Sequence, residues 1–179
     1  MIEIRWHGRG GQGAFTAAKI LGAAAVSEGS FALAFPSFGP ERRGAPIQAF
    51  TKISASQITD RSTIRFCDYI IFLDETLYSR SAAADLKRGG KILINTSSSE
   101  KYQEEGLSIL TFDANRISEE ILGRPVSNTA MLAVLTVESE LVSLHELEEA
   151  VALYFSQKLT DKNKRVIDTV AERLGKKHE

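Results

Sequence analysis

Hydrophobic and polar positions alternate at the start of the chain and then change to a helical period. The stretch IEIRWH alternates and predicts a strand, whereas AFTAAKILGAAAVSE predicts a helix from about Ala14 to Glu28. Gly29 stands where a helix ends. SFALAF predicts a short second strand that Pro36 ends, and the alternating stretch IQAFTKIS predicts a third strand.

Continuous apolar runs mark the middle of the chain. YIIFLD (Tyr69 to Asp74) and KILIN (Lys91 to Asn95) are typical of strands buried on both faces of a parallel sheet. Between them, ETLYSRSAAADLKRGG predicts a helix that ends at Gly89-Gly90. LSILTFD then predicts a strand from Ser108 to Asp113, and ANRISEEILG predicts a helix that ends at Gly123.

Everything after Pro125 has a helical pattern. NTAMLAVLTVESEL is apolar nearly all round and therefore predicts a buried or interface helix. No linker or internal repeat divides the chain, and strands alternate with helices. We therefore expect residues 1–179 to form one layered α/β domain. Its sheet should be mostly parallel and Rossmann-like, flanked by helices, with a helical C-terminal part.

Composition and charge narrow the class of protein. The chain has 179 residues, long enough for one buried core, and its net charge of -1 favours neither nucleic acid nor an anionic membrane as a partner. The first residues do not resemble a signal peptide and no apolar run could span a bilayer, so we expect a cytoplasmic protein. The lone Cys67 is expected to be a packed thiol, and the three histidines predict no metal site.

A glycine-rich turn, Gly8-x-Gly10-x-x-Gly13, lies between the first strand and the first helix. Such a turn can expose backbone amides to a phosphate at the positive end of the helix, or it can simply let helix and strand pack closely. The second strand ends in Ala34-Phe35-Pro36-Ser37, without the acid that holds a dinucleotide ribose, so NAD is not favoured. No Lys-Ser/Thr pair follows the glycines, which excludes an ATP loop of the Walker type.

His7 lies at the mouth of the turn. Its side chain either contacts a ligand or, as is commoner for such a histidine, forms a hydrogen bond with the backbone.

The loop PSFGPERRGAP carries two adjacent cations, Arg42 and Arg43. Guanidinium groups match phosphate and carboxylate, but loop arginines more often face solvent or a partner. Phe35 and Phe38 lie in the same region and favour contact with a partner chain.

Polar residues follow several strands at positions where ligand crevices form in α/β sheets. Asn95 to Ser99 come directly after KILI, and Ser127 to Thr129 precede the apolar helix. Capping of that helix is sufficient to explain Ser127 or Asn128, with a crevice role as the alternative. Asp74 is expected to start a turn. No Ser/His/Asp or Cys/His set can be assembled, so no catalytic residue is assigned.

Five motifs in this order resemble the gamma subunits of the 2-oxoacid:ferredoxin oxidoreductases over essentially the whole chain. They are RWHGRGGQG, AFPSFGPERRGAPIQAFTKI, RSTI…DYIIFLDETLY, GGKILINT and PVSNTAMLAVL. The gamma subunit of the pyruvate enzyme is the nearest likeness. One departure is Ala133, which stands where the family often has glycine.

The resemblance implies an assembly that decarboxylates a 2-oxoacid, most often pyruvate, with thiamine diphosphate and magnesium. Electrons would pass through iron–sulfur clusters to ferredoxin, and coenzyme A would take the acyl group. This chain lacks cluster cysteines and the Gly-Asp-Gly…Asn-Asn pattern that holds the thiamine pyrophosphate. The chemistry is therefore expected in the alpha, beta and delta subunits, and the isolated gamma chain is expected to be inactive.

The resemblance also suggests what the glycine turn does. We expect it to contact the phosphates of coenzyme A or a neighbouring subunit, and the sequence leaves both alternatives open. The residues assigned to this contact are Gly8, Gly10, Gly11, Gln12, Gly13, Arg42, Arg43 and Asn128. The competing hypotheses are a freestanding NADP(H)- or FAD-binding oxidoreductase and a non-catalytic scaffold. A homodimer is also left open.

Overall fold

Six β-strands form one sheet in the computed structural model, which describes residues 1–37 and 44–175. The strands are β1 (Ile2–Arg9), β2 (Phe31–Pro36), β3 (Pro46–Ser54), β4 (Cys67–Phe72), β5 (Leu86–Asn95) and β6 (Ile109–Phe112). They lie in the order β2-β3-β1-β4-β5-β6. Only β3 runs against the others, because it pairs antiparallel with both β1 and β2, whereas the remaining pairs are parallel. The predicted α/β fold with a mostly parallel sheet is confirmed.

Five of the six α-helices in the described ranges cover one face of this sheet. The helices are α1 (Ala14–Ser27), α2 (Arg80–Ala83), α3 (Ala114–Leu122), α4 (Asn128–Ser139), α5 (Leu144–Ala152) and α6 (Gln157–Arg173). All except α2 contribute buried side chains to one large core. Ile4 and Trp6 of β1 face this core, and the Trp6 indole N–H donates to Thr51 Oγ1 at 3.1 Å.

Helix α4 is central to this layer. All ten residues from Asn128 to Val137 are buried, which confirms the prediction from its apolar sequence. Ala133 is fully buried, so a methyl group occupies the position where the family often has glycine. The preceding helix, α3, ends at Gly123 as predicted, since that residue has the left-handed φ of 75° that closes a helix.

The helix predicted between Asp74 and Gly90 is wrong. A single 3-10 turn (Glu75–Leu77) and the one-turn helix α2 occupy its first half, and Leu86 already belongs to β5. The Asp85 carboxylate accepts from Arg5 at 2.9 Å, and its carbonyl accepts from the Cys67 amide at 2.9 Å. These long-range bonds bring the chain into the sheet, so strand pairing prevails over local helix propensity.

The second face of the sheet is covered by a smaller core without a long helix. Phe50, Ile70 and Phe72 of the sheet pack there against Tyr78 and Tyr102 from the turns. Cys67 is buried in the same core. Its full burial confirms the prediction of a packed thiol, and this burial raises the pKa of the thiol to about 11.

No helix within residues 1–37 and 44–175 has the length and apolar character needed to cross a bilayer.

Candidate functional site at the carboxyl edge of the sheet

The glycine turn joins β1 to α1 in a tightly constrained conformation. Gly11 and Gly13 have φ angles of 96° and 82°, in the left-handed region that favours glycine, and Gly13 caps the start of α1. A Cβ on Gly13 would lie 2.5 Å from Nδ2 of Asn128. Gly13 is therefore required both by its backbone and by the close approach of α4.

Much of the turn's hydrogen-bonding capacity is used internally. The Arg9 amide donates to Gln12 Oε1 at 2.7 Å and the Gln12 amide donates to the Arg9 carbonyl at 2.9 Å. The Gly10 amide donates to the Ala45 carbonyl at 2.8 Å, which ties the turn to the segment before β3. Gly11 is exposed, and the first amides of α1 have no acceptor within the helix, so this side of the turn is where a ligand could be bound.

Asp74, at the end of β4, lies directly beside the glycine turn. Its Oδ2 accepts from Arg9 Nε at 2.8 Å and from Gln12 Nε2 at 3.4 Å, and its Oδ1 accepts from the Thr76 amide at 2.9 Å. Burial would raise the pKa of Asp74, but the hydrogen bonds from Thr76 and Arg9 outweigh burial and lower it. Asp74 therefore starts a turn, as predicted, and it also places a negative charge just beyond the carboxyl end of β4, next to the glycine turn.

Arg9 bonds three neighbours in this arrangement. Its Nε bonds Asp74, its Nη1 bonds the Gly44 carbonyl at 3.2 Å and its Nη2 bonds Thr76 Oγ1 at 2.8 Å. These bonds use three of its five N–H donors, and its positive charge is paired with the carboxylate of Asp74. Arg42, Arg43 and Phe38, for which the sequence predicted anion or partner contact, lie outside the described residues.

A cleft of ≈ 700 Å³ opens beside the turn, beyond the carboxyl ends of β4, β5 and β6. This is the position where ligands bind in open α/β sheets. Among its lining residues, five carboxylates outnumber one guanidinium, that of Arg116. The carboxylates are those of Asp74, Glu75, Asp113, Glu119 and Glu120. The cleft therefore disfavours a phosphate, and an anion would have to approach from the Gly11 side of the turn.

Asn95, the last residue of β5, lies at the floor of the cleft and bonds the elements around it. Its Nδ2 donates to the Leu73 carbonyl at 2.9 Å and its Oδ1 accepts from the Ala114 amide at 3.0 Å, which joins β4 to the start of α3. The next residue, Thr96, donates to Glu75 Oε2 at 2.8 Å, and Tyr102 donates to the same oxygen at 2.8 Å. These bonds from Tyr102 and Thr96 lower the pKa of Glu75.

Sequence reasoning missed Glu75 and Tyr102 as members of this network, whereas it placed Thr96 at a ligand crevice within the polar run Asn95 to Ser99. Glu75 could have been identified from its position directly after the apolar run YIIFLD. Tyr102 could not, because it reaches Glu75 from a 3-10 turn (Ser99–Tyr102) far along the chain.

The capping roles expected for Ser127 and Asn128 are wrong. Neither side chain caps α4: Ser127 Oγ donates to the Leu73 carbonyl at 3.3 Å, and Asn128 Nδ2 donates to the Gly13 carbonyl at 3.5 Å. Both therefore connect α4 to the carboxyl edge of the sheet. Asn128 lies against the glycine turn, next to the residues with which the sequence grouped it.

His7 lies on the smaller-core face of the sheet and is not among the residues that line the cleft. Its ring stacks on Phe72 with centroids 4.6 Å apart, and its Nε2 is buried without a hydrogen-bond partner. The hydrogen bond to a backbone group that the sequence predicted for the His7 ring is therefore not made by Nε2. Burial, followed by the nearby Arg5, lowers the pKa of His7 to about 4, so the ring is neutral at pH 7. Among the described residues there is no group of three or more metal-ligating side chains.

Comparison with known proteins decides the family. The family model described as pyruvate ferredoxin/flavodoxin oxidoreductase matches residues 3–173. The chain belongs to this family. It is 42% identical over 179 residues to pyruvate synthase subunit PorC of Methanocaldococcus jannaschii, with 99% of each chain covered. It is 43% identical over 174 residues to the "pyruvate/ketoisovalerate oxidoreductases common subunit gamma" of Thermococcus kodakarensis, with 94% of each chain covered.

A solved structure supports the same assignment. Pyruvate oxidoreductase subunit PORC (EC 1.2.7.1) from Thermotoga maritima superposes with a TM-score of 0.82 at 34% identity, covering 96% of this chain and 95% of that one. The prediction of a gamma subunit in a 2-oxoacid:ferredoxin oxidoreductase is confirmed. The alternative of a freestanding NADP(H)- or FAD-binding oxidoreductase is not favoured. Family relatives are subunits, so partner chains are expected for this one.

Proposed function

We propose that this chain supports the assembly of a thiamine-diphosphate-dependent enzyme that oxidatively decarboxylates a 2-oxoacid in a coenzyme A-dependent reaction, with pyruvate as the favoured substrate. The observation that supports this proposal is the full-length similarity to gamma subunits of pyruvate oxidoreductases. Thiamine diphosphate, magnesium and the iron–sulfur clusters are assigned to the alpha, beta and delta subunits, which pass electrons to ferredoxin. A cytoplasmic location stays a prediction of the sequence.

We assign the choice of the 2-oxoacid to other subunits. The Thermococcus relative is named as a subunit common to pyruvate and ketoisovalerate oxidoreductases. A subunit shared by two enzymes does not distinguish their substrates. The same property in this chain would explain why its cleft carries no feature fitted to one particular 2-oxoacid.

The glycine turn is proposed to hold the phosphates of coenzyme A at the exposed Gly11 and the first turn of α1. Among the described residues, nothing lies within 4 Å of a Cβ placed on Gly11, which leaves space for a ligand there. The positive end of α1 points at the same place. Arg9 is engaged by Asp74, so the balancing cations would come from Arg42 and Arg43 or from a partner subunit. The turn would orient coenzyme A, and the acidic cleft beside it would keep the phosphates out of the space above β5 and β6.

A Gly11→Ala variant tests this assignment in the assembled enzyme. The φ of 96° opposes any side chain, which should cost about 1–2 kcal/mol and displace the amides. Loss of one hydrogen bond to a charged group is worth about 1.5–3 kcal/mol. We therefore expect the KM for coenzyme A to rise roughly tenfold, with the KM for pyruvate unchanged.

Gly106→Ala is the matched control for this experiment. Gly106 also has a positive φ, 84°, with nothing within 4 Å of a Cβ, but it lies in the loop before β6. It should leave both KM values unchanged. An unchanged KM for coenzyme A in the Gly11 variant, with normal assembly, would remove coenzyme A from the turn.

A further inference from the structure

Among the residues that the structure describes, no strand pairs with the outer side of β2, which forms one edge of the sheet. Edge strands usually carry charged residues that prevent pairing with another chain, yet no charged residue occurs from Gly29 to Ser37. The opposite edge, β6, is only four residues long, which is another common protection. β2 has six residues, and the side chain of Phe31 at its start is 47% exposed.

The register of β2 identifies which backbone groups point away from the sheet. The Ser37 amide donates to the Gln48 carbonyl at 2.8 Å, and the antiparallel register with β3 continues unbroken to Phe31. Residues bonded to a neighbouring antiparallel strand alternate with residues that are not. The N–H and C=O groups of Ala32 and Ala34 therefore face the free edge. The backbone nitrogen of Pro36 also faces the free edge, as do those of Ala32 and Ala34. An edge strand tolerates proline at such a position because no hydrogen bond to the neighbouring strand is lost.

An apolar groove of ≈ 410 Å³ runs along this same edge. It lies between α1, β2 and the end of α5, and its exposed members include Val26 (54%) and Leu153 (74%). The side chains of Ala32 and Ala34 line it from the strand, next to Gly22 of α1. Unpaired backbone groups and uncovered apolar side chains thus coincide at one place.

One charged side chain lines the groove, that of Lys19. Its Nζ lies 4.9 Å from the ring centroid of Phe15 and 5.2 Å from that of Tyr154. Within the described part of the chain, no carboxylate pairs with this ammonium group. The groove is therefore complementary to an apolar segment that carries an acidic residue.

A second copy of this chain does not fit the groove well. Residues directly opposite each other in an antiparallel pair lie on the same face. In a β2–β2 pair, Ala32 and Ala34 of the second copy would lie directly opposite Ala32 and Ala34 of the first copy. Their side chains would then lie on the face that carries the groove. They would offer only methyl groups to a groove that Val26 and Leu153 leave open. A strand with larger side chains is needed to fill it.

We infer that β2 and this groove bind an extended segment of a partner subunit, which adds a strand to the sheet beside Ala32 and Ala34. The segment has large apolar side chains at alternate positions and a carboxylate opposite Lys19. Strand addition of this kind obtains affinity from main-chain hydrogen bonds and specificity from the pockets for alternate side chains. The inference rests on the proposed function, because it requires an assembly with other subunits.

Hydrogen exchange in the wild-type protein tests the strand addition directly. The amides of Ala32 and Ala34 should exchange rapidly in the isolated chain. In the complex with its co-expressed partner subunits, exchange of the peptide 31–37 should slow by at least about tenfold, as paired amides do. An intact complex with unchanged exchange in this peptide would overturn the inference and leave the proposed function standing. Failure of the wild-type chain to enter any complex would instead refute the proposed function.

Two variants test the groove by affinity, with a matched control. Leu153→Asp places a charge in the groove at an exposed position, and Ala34→Pro removes an outward N–H while keeping the bonds to β3. Each should weaken association with the partner subunits about tenfold or more, as for a residue central to an interface. Phe66→Asp alters a side chain that is 51% exposed and does not line the groove, and it should change nothing.

Other results would contradict the inference. Wild-type affinity in both groove variants, with native thermal unfolding, would exclude this surface. A concentration-dependent dimer of the isolated chain that both variants abolish would assign the surface to a second copy instead.

Discussion

Two buried polar residues, one in β1 and one at the start of α4, have side-chain environments that only the fold explains. His7 and Asn128 show how differently such residues behave. Asn128 bonds the Gly13 carbonyl and so links α4 to the glycine turn, whereas the Nε2 of His7 has no partner and its ring stacks on Phe72. Neither environment can be inferred from sequence neighbours, because both contacts join distant parts of the chain.

The depressed pKa of His7 predicts a dependence of stability on pH. In the unfolded chain the ring protonates below about pH 6.5, whereas in the folded chain it stays neutral down to about pH 4. The unfolded state therefore binds the extra proton first, and stability falls as the pH falls from about 6.5 to about 4. The difference in pKa corresponds to about 3 kcal/mol of unfolding free energy.

Urea unfolding across this range measures the effect against a His7→Phe variant, which keeps a ring on Phe72 but cannot titrate. The wild type should lose about 3 kcal/mol more than the variant between pH 7 and pH 4. His145→Gln changes an exposed histidine and should keep the wild-type profile. Parallel profiles for the wild type and His7→Phe would show that His7 is not held neutral by the fold.

At the scale of elements, the segment between β4 and β5 shows where tertiary contacts override local preference. Its sequence has helix-forming residues and a Gly-Gly end, and a helix was the natural prediction. Instead the two glycines lie inside β5, at an irregularity in its pairing with β4 between Cys67 and Tyr69. Gly89 has a φ of 81°, and a Cβ on Gly90 would lie 2.7 Å from the carbonyl oxygen of Asp68. The glycines allow a strand irregularity and do not end a helix.

Alanine substitutions at the two glycines should separate these roles. Gly90→Ala brings a methyl group against a backbone carbonyl that cannot move without disturbing the pairing of β4 with β5, and should cost about 2–3 kcal/mol. Gly89→Ala meets nothing within 4 Å and should cost only the positive-φ penalty of about 1–2 kcal/mol. Denaturant unfolding of both variants measures the difference. Equal losses would argue against the close approach at Asp68.

At the scale of the whole molecule, the sheet has two unlike surfaces for contact. Its carboxyl edge carries the glycine turn and an acidic cleft, and its β2 edge carries an apolar groove with unpaired backbone groups. A protein of this family works among other subunits, so two separate surfaces suit contact with more than one neighbour.

The isolated chain should therefore lack enzymatic activity of its own. We expect no pyruvate-dependent reduction of ferredoxin by the purified chain, and turnover once the partner subunits are added. NADP(H) and FAD should not raise its melting temperature, because the second strand lacks the acid that binds a dinucleotide ribose. Turnover by the solitary chain with tightly bound flavin or nicotinamide would contradict this account.

Sequence alone determined the family, the fold class and most of the elements. These elements could be predicted because local patterns in the sequence indicate them. The patterns are the alternation in β1, the continuous apolar runs in β4 and β5, and the apolar residues on all sides of α4. The sequence also grouped Asn128 with the glycine turn, through the resemblance to a family. Only the tertiary structure decided that the carboxylate of Asp74 restrains Arg9 and that five carboxylates surround the cleft. It likewise decided that Ala32 and Ala34 present free backbone groups beside a groove. Those features arise where segments distant in the chain meet, and their geometry depends on strand order and register, which no local pattern encodes.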